Sequence, residues 1–378
     1  MRVLHLHSGN LFGGVETLML ALVRAGAGAG ATHEFALSFE GRLAAELRAS
    51  GAAVWQLGEA RLSRPLSVKR ARGGLRALLA RESFDAALCH SAWSCVLFGP
   101  VARAAALPLA YYMHAPARGA HWLERWARLT PPRLVVCNSE FTASTAARLF
   151  PRVHTELVRY PVEPPRRFED ESLRAAARSA VRAEMQTPEE AVVVVQASRM
   201  EAWKGHAAHL RALGRLKDVP QWVCWLLGGD QRPHEAAYLR ELRSLAARLG
   251  IAERVRFAGE RADVPRLLAA ADIYCQPNAG PEPFGIAFVE ALYAGLPAVA
   301  SATGGAVEIV DESCGALVAP GDADGLAVAL RALIGDAGLR ARLGARGPSR
   351  AALLCDPSRQ AARLARALEP LAERRAAT

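Results

Sequence analysis

Two glutamates eight positions apart, Glu282 and Glu290, bracket the residues Pro283-Phe284-Gly285-Ile286 and lead into an apolar stretch. The spacing sets one carboxylate in a loop and the other on the second turn of the helix that follows. Between them, the backbone N–H groups of Phe284, Gly285 and Ile286 crown the helix start. Amides there have no intrahelical acceptor, and the helix macrodipole is positive, so the position suits an anion. Two acceptors for hydroxyls flanking an anion cradle are the chemistry that a sugar carrying phosphate demands. Taken alone, the same pattern also describes an ordinary loop-to-helix junction with two solvated acids.

A second group follows the apolar run that ends at Ala197. Arg199 leaves the strand tip and Lys204 comes five residues later, before a helix. A planar guanidinium fork and a point-charge ammonium at such a mouth can neutralise a diphosphate. The chain has only three lysines, Lys69, Lys204 and Lys217, which singles this one out. Gly304-Gly305-Ala306-Val307-Glu308 follows a short apolar run, and paired glycines allow a close backbone approach to a ligand. Near the start, Gly13-Gly14 joins the first strand to the first helix, either as a close-approach loop for phosphate or acceptor or as a plain tight turn. The surrounding Gly9-Asn10-Leu11-Phe12-Gly13-Gly14 lacks the G-x-G-x-x-G spacing of a dinucleotide fingerprint. His114 lies just past a strand, where it can donate to a sugar hydroxyl or serve as a structural loop residue. Asn138-Ser139-Glu140 ends another strand, with helix capping as the simpler role of Ser139 or Glu140. Gly228-Gly229-Asp230 and the loop Gly259-Glu260-Arg261-Ala262-Asp263 open on the same side as Arg199, and the second can seat a nucleobase or form a surface turn. Asp322-Ala323-Asp324 is a D-x-D triplet that helix capping explains better than metal binding, and Asp263 and Asp272 stand isolated.

These residues need strands to aim them. In the first half, apolar runs over Val3–His7, Glu34–Ser38, Val54–Leu57, Ala86–His90, Leu109–Met113 and Leu134–Asn138 alternate with helical patterns such as Glu16–Ala25 and Leu43–Ser50. Tyr160-Pro161-Val162-Glu163-Pro164-Pro165 then reads as a linker, because its prolines end both helices and central strands. The alternation restarts with Val192–Ala197, Trp222–Leu227, Val255–Ala258, Ile273–Gln276, Ala298–Ala300 and Ala316–Val318, with helices over His234–Leu249, Val264–Ala270, Phe288–Ala294, Leu326–Leu333 and Gln360–Ala372. Strand–helix alternation of this kind predicts α/β architecture with two doubly wound parallel sheets, whose ligands bind beyond the carboxyl ends of the strands. The expected domains are 1–163, 164–355 and a C-terminal helical segment, 356–378, that packs back on the first.

The chain has 378 residues and a net charge of +10, but residues 1–165 hold 19 basic and 11 acidic side chains, so the excess lies mostly in the first half. Arg61, Arg64, Lys69, Arg70, Arg72 and Arg76 crowd into one segment, 61–76, which is either a solvated surface or a patch for an anionic membrane face or an acidic acceptor. Nucleic acid is not expected as a partner, since no aromatics interleave with this cluster. No apolar run is long enough to span a bilayer, the N-terminus does not read as a signal peptide, and the seven cysteines form no C-x-x-C pair. The reading is a cytoplasmic protein, peripheral to the inner membrane face if the basic patch is used.

Taken in order, Gly13-Gly14, His114, Asn138-Ser139-Glu140, Arg199 with Lys204, Gly228-Gly229, Gly259, the Glu282–Glu290 pair and Gly304-Gly305 with Glu308 resemble the family 4 (group 1) glycosyltransferases of the GT-B fold. The resemblance implies two Rossmann-like domains facing each other across a cleft, with acceptor bound by the first and nucleotide-sugar donor by the second. It implies that Arg199 and Lys204 bind the diphosphate and that Glu282 contacts the donor sugar. The backbone of Phe284, Gly285 and Ile286 would touch sugar and phosphate, Glu290 would hold the ribose hydroxyls, and His114 would sit near the reacting face. Gly13, Gly14, Gly228, Gly229 and Arg261 would complete the donor contacts. It further implies a retaining hexosyl transfer to a saccharide or lipid-linked acceptor, with no metal and no cofactor. The segment Asp230-Gln231-Arg232-Pro233 departs from the family's usual glycine-rich run there. Rival readings are a GT-B sugar-nucleotide epimerase, a phosphorylase, a non-catalytic nucleotide-sugar-binding scaffold of a polysaccharide-assembly complex, and an NAD oxidoreductase.

Overall fold

A computed structural model describes residues 1–10, 13–26, 28, 30–165, 170–229 and 233–376. It divides into one unit of Met1–Glu163 with Cys355–Thr378 and a second of Pro164–Leu354.

The first unit holds β1 (Arg2–His7), β2 (Thr32–Leu37), β3 (Val54–Gln56), β4 (Ala86–Cys89), β5 (Leu109–Met113), β6 (Leu134–Cys137) and β7 (Thr155–Leu157). They form one parallel sheet in the order β3-β2-β1-β4-β5-β6-β7. One face carries Leu4, Leu6, Cys89, Met113 and Val135, packed under the helices Pro65–Arg81 and Ala92–Ala104. On the other face, Phe35 and Leu37 meet Met19 and Leu20 of the helix Gly14–Ala25. The C-terminal helix Pro357–Ala376 packs on that helix and on β4. Each buried Leu or Phe contributes about 1.5–3 kcal/mol. Polar side chains buried in such a sheet therefore need partners to offset their desolvation. β1 contains two of them, His5 and His7.

The second unit holds β8 (Val192–Ala197), β9 (Trp222–Leu227), β10 (Val255–Gly259), β11 (Ile273–Gln276), β12 (Ala298–Ser301) and β13 (Gly315–Val318), all parallel in the order β10-β9-β8-β11-β12-β13. Both sheets reverse direction beside their first strand, between β1 and β4 and between β8 and β11. That reversal opens a crevice at the carboxyl ends of the two strands.

The expected strands are present with ends shifted by no more than two residues, and β7 is an addition. Its three residues are too few to show a period. The stretch read as a linker holds the boundary between the units, between Glu163 and Pro164, and its first residues are anchored in the first unit: Tyr160 and Val162 are buried, and the Val162 amide donates to the Cys355 carbonyl at 3.0 Å. Its prolines stop secondary structure without freeing the chain. Asp322 caps the helix Ala323–Gly335 by accepting from the amides of Asp324 (3.1 Å) and Gly325 (2.8 Å). Ser139 caps the helix Glu140–Ala146 in a reciprocal box with Thr142. Asp263 and Asp272 are not isolated. Asp272 joins Arg178 and Arg182 and accepts from the Val193 amide, while Asp263 joins Arg261 and Arg266. The seven cysteines are buried free thiols.

Candidate active site

In the second unit, the loops leaving β8 and β11 flank the crevice, and side chains tie them together. Lys204 Nζ lies 2.7 Å from Glu282 Oε2, with 14% and 9% of the two side chains exposed. The same oxygen accepts from Asn278 Nδ2 at 2.8 Å and Gln276 Nε2 at 3.2 Å. The Trp203 carbonyl accepts from the Ala279 amide at 2.8 Å, and the Trp203 ring lies under the Lys204 ammonium, 4.1 Å from its centroid. Behind the loops, Gln196 of β8 donates to the Lys204 carbonyl at 2.9 Å and meets His209 Nδ1 at 2.9 Å. A buried Gln in an otherwise apolar strand thus holds the lysine loop in place.

Glu282 precedes the helix Ile286–Tyr293 by one turn of loop. Gly285 is its N-cap at φ 107°, a left-handed value that favours glycine, and it brings no side chain to cap the first amides. The helix start is thus uncapped beside an ammonium–carboxylate pair. Gly304 and Gly305 serve this loop: a Cβ on Gly304 would overlap the Glu282 carbonyl, and one on Gly305 would come within 2.8 Å of Phe284 Cα. The Gly305 amide donates to the Glu282 carbonyl at 2.7 Å.

Glu290 sits on the second turn, half-buried, and burial pushes its carboxyl up to about 7. Burial also raises the Tyr274 phenol, and the charges of Glu282 and Glu290 raise it further, so both carboxylates act on one ring. Arg199 pairs with Glu201 Oε2 at 3.1 Å, an oxygen that also accepts from Trp203 Nε1. Arg261 is gripped by Asp263 (2.7 and 2.8 Å) and Glu184 (2.6 Å), so its fork is committed to carboxylates in a separate surface cluster. Those arginines hold the Asp263 carboxyl down at about 2. Gly228 donates its amide to the Gly259 carbonyl at 2.8 Å, and Gly229 packs on Glu260. Asp230, Gln231 and Arg232 lie outside the described residues, as do Leu11 and Phe12.

The remaining expected residues belong to the first unit. Gly13 and Gly14 are exposed at the start of the helix Gly14–Ala25, and Gly13 accepts from the Thr17 amide and hydroxyl, both at 3.0 Å. His114 is half-buried with both ring nitrogens engaged: Nε2 meets His90 Nδ1 at 2.9 Å and Nδ1 meets the Tyr160 hydroxyl at 2.6 Å. A pocket of about 450 Å³ lies at the carboxyl ends of β1 to β4, with Ser8, Phe39, Arg61, Ser63, Ser91 and Trp93 on its walls. Among the described residues, no group of three or more His, Cys, Asp or Glu side chains is arranged to hold a metal.

Comparison with known proteins matches residues 12–166 to the model of Glycosyltransferase Family 4 and residues 177–350 to that of Glycosyl transferases group 1. The chain belongs to the group 1, family 4 glycosyltransferases. Its fold is GT-B: Alr3699/HepE of Anabaena, solved in complex with UDP, superposes with a TM-score of 0.83 at 25% identity, covering 98% of this chain and all of that one. The same protein in complex with UDP-glucose gives 0.79. A lipopolysaccharide core biosynthesis glycosyltransferase of Rhizobium meliloti (strain 1021), LpsE, is 36% identical over 44% of this chain and 46% of its own length. A phosphatidyl-myo-inositol mannosyltransferase of Mycobacterium leprae is 44% identical over 28% and 29%. The chain spans about half the length, or less, of the curated relatives it matches.

Within this glycosyltransferase chain, sequence reasoning passed over Gln276, Asn278 and Gln196, which hold Glu282 and the Lys204 loop. The available signal was a polar residue inside or just after a strand of otherwise buried apolar residues. It also passed over His5, His33 and His90, which connect to His114.

Proposed function

We propose that this protein transfers a hexose-type sugar, with retention at the anomeric carbon, from a nucleoside diphosphate to a saccharide or lipid-linked acceptor in cell-surface glycan synthesis. The observation that carries the reading is the Lys204–Glu282 pair, set beside an uncapped helix start at the switch point of the second sheet. An ammonium has three donors. Lys204 keeps one on Glu282 and turns the others to the diphosphate. Arg199, on the same loop, exchanges Glu201 for a phosphate oxygen. The amides of the first turn, Gly285 and Ile286, add the helix dipole. Together these groups stabilise the charge that builds on the leaving diphosphate, without a metal ion, and they are in place before the reaction begins. Glu282 accepts from donor-sugar hydroxyls, and Glu290, once ionised, accepts from the ribose.

In this proposal the first unit binds the acceptor. The pocket at the ends of β1 to β4 has an aromatic wall in Trp93 and hydroxyls from Ser8, Ser63 and Ser91, which suit a sugar ring. Arg61, Arg64, Lys69, Arg70 and Arg76 are exposed beside Leu66, itself 77% exposed, and form the surface that meets an anionic membrane face. Arg72 is outside that patch: it turns inward and donates to the carbonyls of Val96 and Leu97. Among the described residues, no helix is long and apolar enough to cross a membrane.

The test is a screen for sugar release from UDP-, GDP-, ADP- and dTDP-sugars with lipid extracts as acceptors, with and without EDTA, followed by NMR of the product anomer. Transfer that EDTA leaves intact and that keeps the donor's anomeric configuration is expected. Inversion, or activity abolished by EDTA, contradicts the mechanism.

A further inference from the structure

A hydrogen-bonded row of imidazoles runs across the first sheet. His33 Nδ1 meets His5 Nε2 at 2.8 Å, His5 Nδ1 meets His90 Nε2 at 2.8 Å, His90 Nδ1 meets His114 Nε2 at 2.9 Å, and His114 Nδ1 meets the Tyr160 hydroxyl at 2.6 Å. The register explains the row. His33 lies beside Val3, so His5 is one same-face position further along β1; His5 lies beside Leu88, so His90 is one further past β4. Cys89 pairs with Tyr111, which puts Tyr112 beside His90 and His114 one step on again. Each histidine is thus displaced towards the carboxyl edge relative to the last. The rings of His90 with His5 and of His90 with His114 stack at 5.0 and 5.1 Å.

We propose that His33, His5, His90, His114 and Tyr160 form one tautomeric unit, through which residues distant from the substrate fix the proton position on His114 for sugar transfer. This rests on the reading of His114 as the residue beside the reacting sugar. Burial holds the four rings neutral, with His33 lowered to about 4 and the other three well below the usual range. A neutral imidazole has one N–H and one lone pair, so every link in the row must point the same way. If Tyr160 donates to His114, all four rings carry their proton on Nε2. If His33 Nδ1–H starts the row, all four carry it on Nδ1, and His114 donates to the Tyr160 oxygen. Mixed states place two N–H groups or two lone pairs face to face and lose a buried hydrogen bond. His5, His33, His90 and Tyr160 are therefore positioning residues that act through His114.

The experiment is ¹⁵N-histidine labelling of the full chain, with long-range ¹H–¹⁵N correlation at pH 7.5. One shared tautomer is expected for the four histidines, and a mixed set overturns the proposal. His33→Leu strips the partner from His5 Nε2. A buried lone pair is tolerated better than a buried N–H, so His5, His90 and His114 settle with protons on Nδ1. In the intact row His33 Nε2 is itself buried without a partner, so the same preference puts the wild-type protons on Nδ1. Tyr160→Phe takes the acceptor from His114 Nδ1–H, so either uniform state then leaves one N–H without an acceptor, and the tautomer populations of all four rings must shift together, although His33 is three hydrogen bonds from His114. A shift confined to His114 overturns the unit. The dispersion of the same spectra reports whether each variant is folded, and Tyr160→Phe removes only a hydroxyl should His33→Leu fail to fold. In turnover assays kcat follows the tautomer, falling roughly tenfold or more in the variant whose His114 differs from wild type, at unchanged donor KM. A loss in kcat that ignores the tautomer overturns the catalytic half. Absence of transfer in the wild-type protein would sink the proposed function and leave the tautomer result standing.

Discussion

The two sheets share an order around their first strand, β3-β2-β1-β4 in one unit and β10-β9-β8-β11 in the other, yet they spend their polar side chains differently. In the second unit the polar groups gather past the strand ends, on loops: Lys204, Gln276 and Asn278 converge on one oxygen of Glu282. In the first unit they lie within or just past the strands as a neutral row that begins at His33. Charge at a strand end can be offered to a ligand, because the loop has solvent on one side and a helix start on the other. The imidazoles of this row have no such outlet, so they remain neutral and bond to one another. One architecture thus yields an ionic crevice and an uncharged relay. The difference predicts where salt, pH and substitution act.

The largest effect is expected at the ionic crevice. Lys204→Ala should lower kcat/KM by roughly a hundred- to a thousand-fold, in the range for losing one preorganised donor to transition-state charge, with the far-UV circular dichroism unchanged. A variant that turns over like wild type would break the comparison, because the pair would then be structural only.

Glu290 gives the next effect. Its carboxyl titrates at about 7 when folded, against 4.5 for an ordinary glutamate, so its contribution to stability is complete below pH 4.5 and is lost as pH rises through 7. Glu290→Gln should therefore stabilise the fold at pH 8, by at most about 3 kcal/mol and less to the extent that solvent screens the partly exposed side chain. The same substitution should abolish donor binding. In wild type, donor affinity should weaken about tenfold per pH unit below 7. Urea titrations and donor titrations at pH 6 and 8 check both signs, and equal stabilities of wild type and Glu290→Gln at pH 8 would contradict the assignment.

The buried histidines held neutral, one in the relay and two in the second unit, give an effect of opposite sign. His33 and His206 titrate at about 4 and His209 at about 3. The unfolded chain takes up protons near 6.5 while the folded one does not, so stability falls as pH drops from 6.5 towards 4. Each such histidine should contribute about 1.4 kcal/mol per pH unit to that loss. Urea midpoints measured from pH 7 to 4 should decline steadily, and His33→Leu should shallow the decline by one histidine's share. A flat profile would mean that the rings are protonated in the fold.

The smallest effect concerns the surface of the first unit. Replacing Arg64, Lys69 and Arg70 with Glu should weaken binding to anionic vesicles by about 1 kcal/mol per cation removed, and more with the reversed charge. Co-sedimentation indifferent to lipid charge and to salt would remove the membrane from the account.

Much of this arrangement was legible in the sequence. β5, β8, β9 and β11 fall where the apolar runs place them, because a strand buried on both faces is a continuous apolar run with little ambiguity. Lys204, Glu282 and Glu290 stand out by type and spacing along a single stretch or beside a strand end. The paired glycines Gly304-Gly305 signalled a close approach, and the structure adds that the Glu282–Phe284 backbone comes near, which a local pattern does not say. The histidine row was hidden because residues 5, 33, 90, 114 and 160 become neighbours only once strand order and register are known. Tyr160 was concealed further by prolines that look like a linker. Gln276 and Asn278 flank Pro277 at a strand end, and only the Glu282 contact gives them meaning.

The central claim is that the crevice between β8 and β11 holds a nucleotide-sugar diphosphate on Lys204. Its most direct test is a thermal-shift titration of wild type and Lys204→Ala with UDP-, GDP-, ADP- and dTDP-sugars in EDTA. One donor class should raise the wild-type midpoint and leave the variant's unmoved. Stabilisation of both proteins alike, or of neither by any donor, would contradict it.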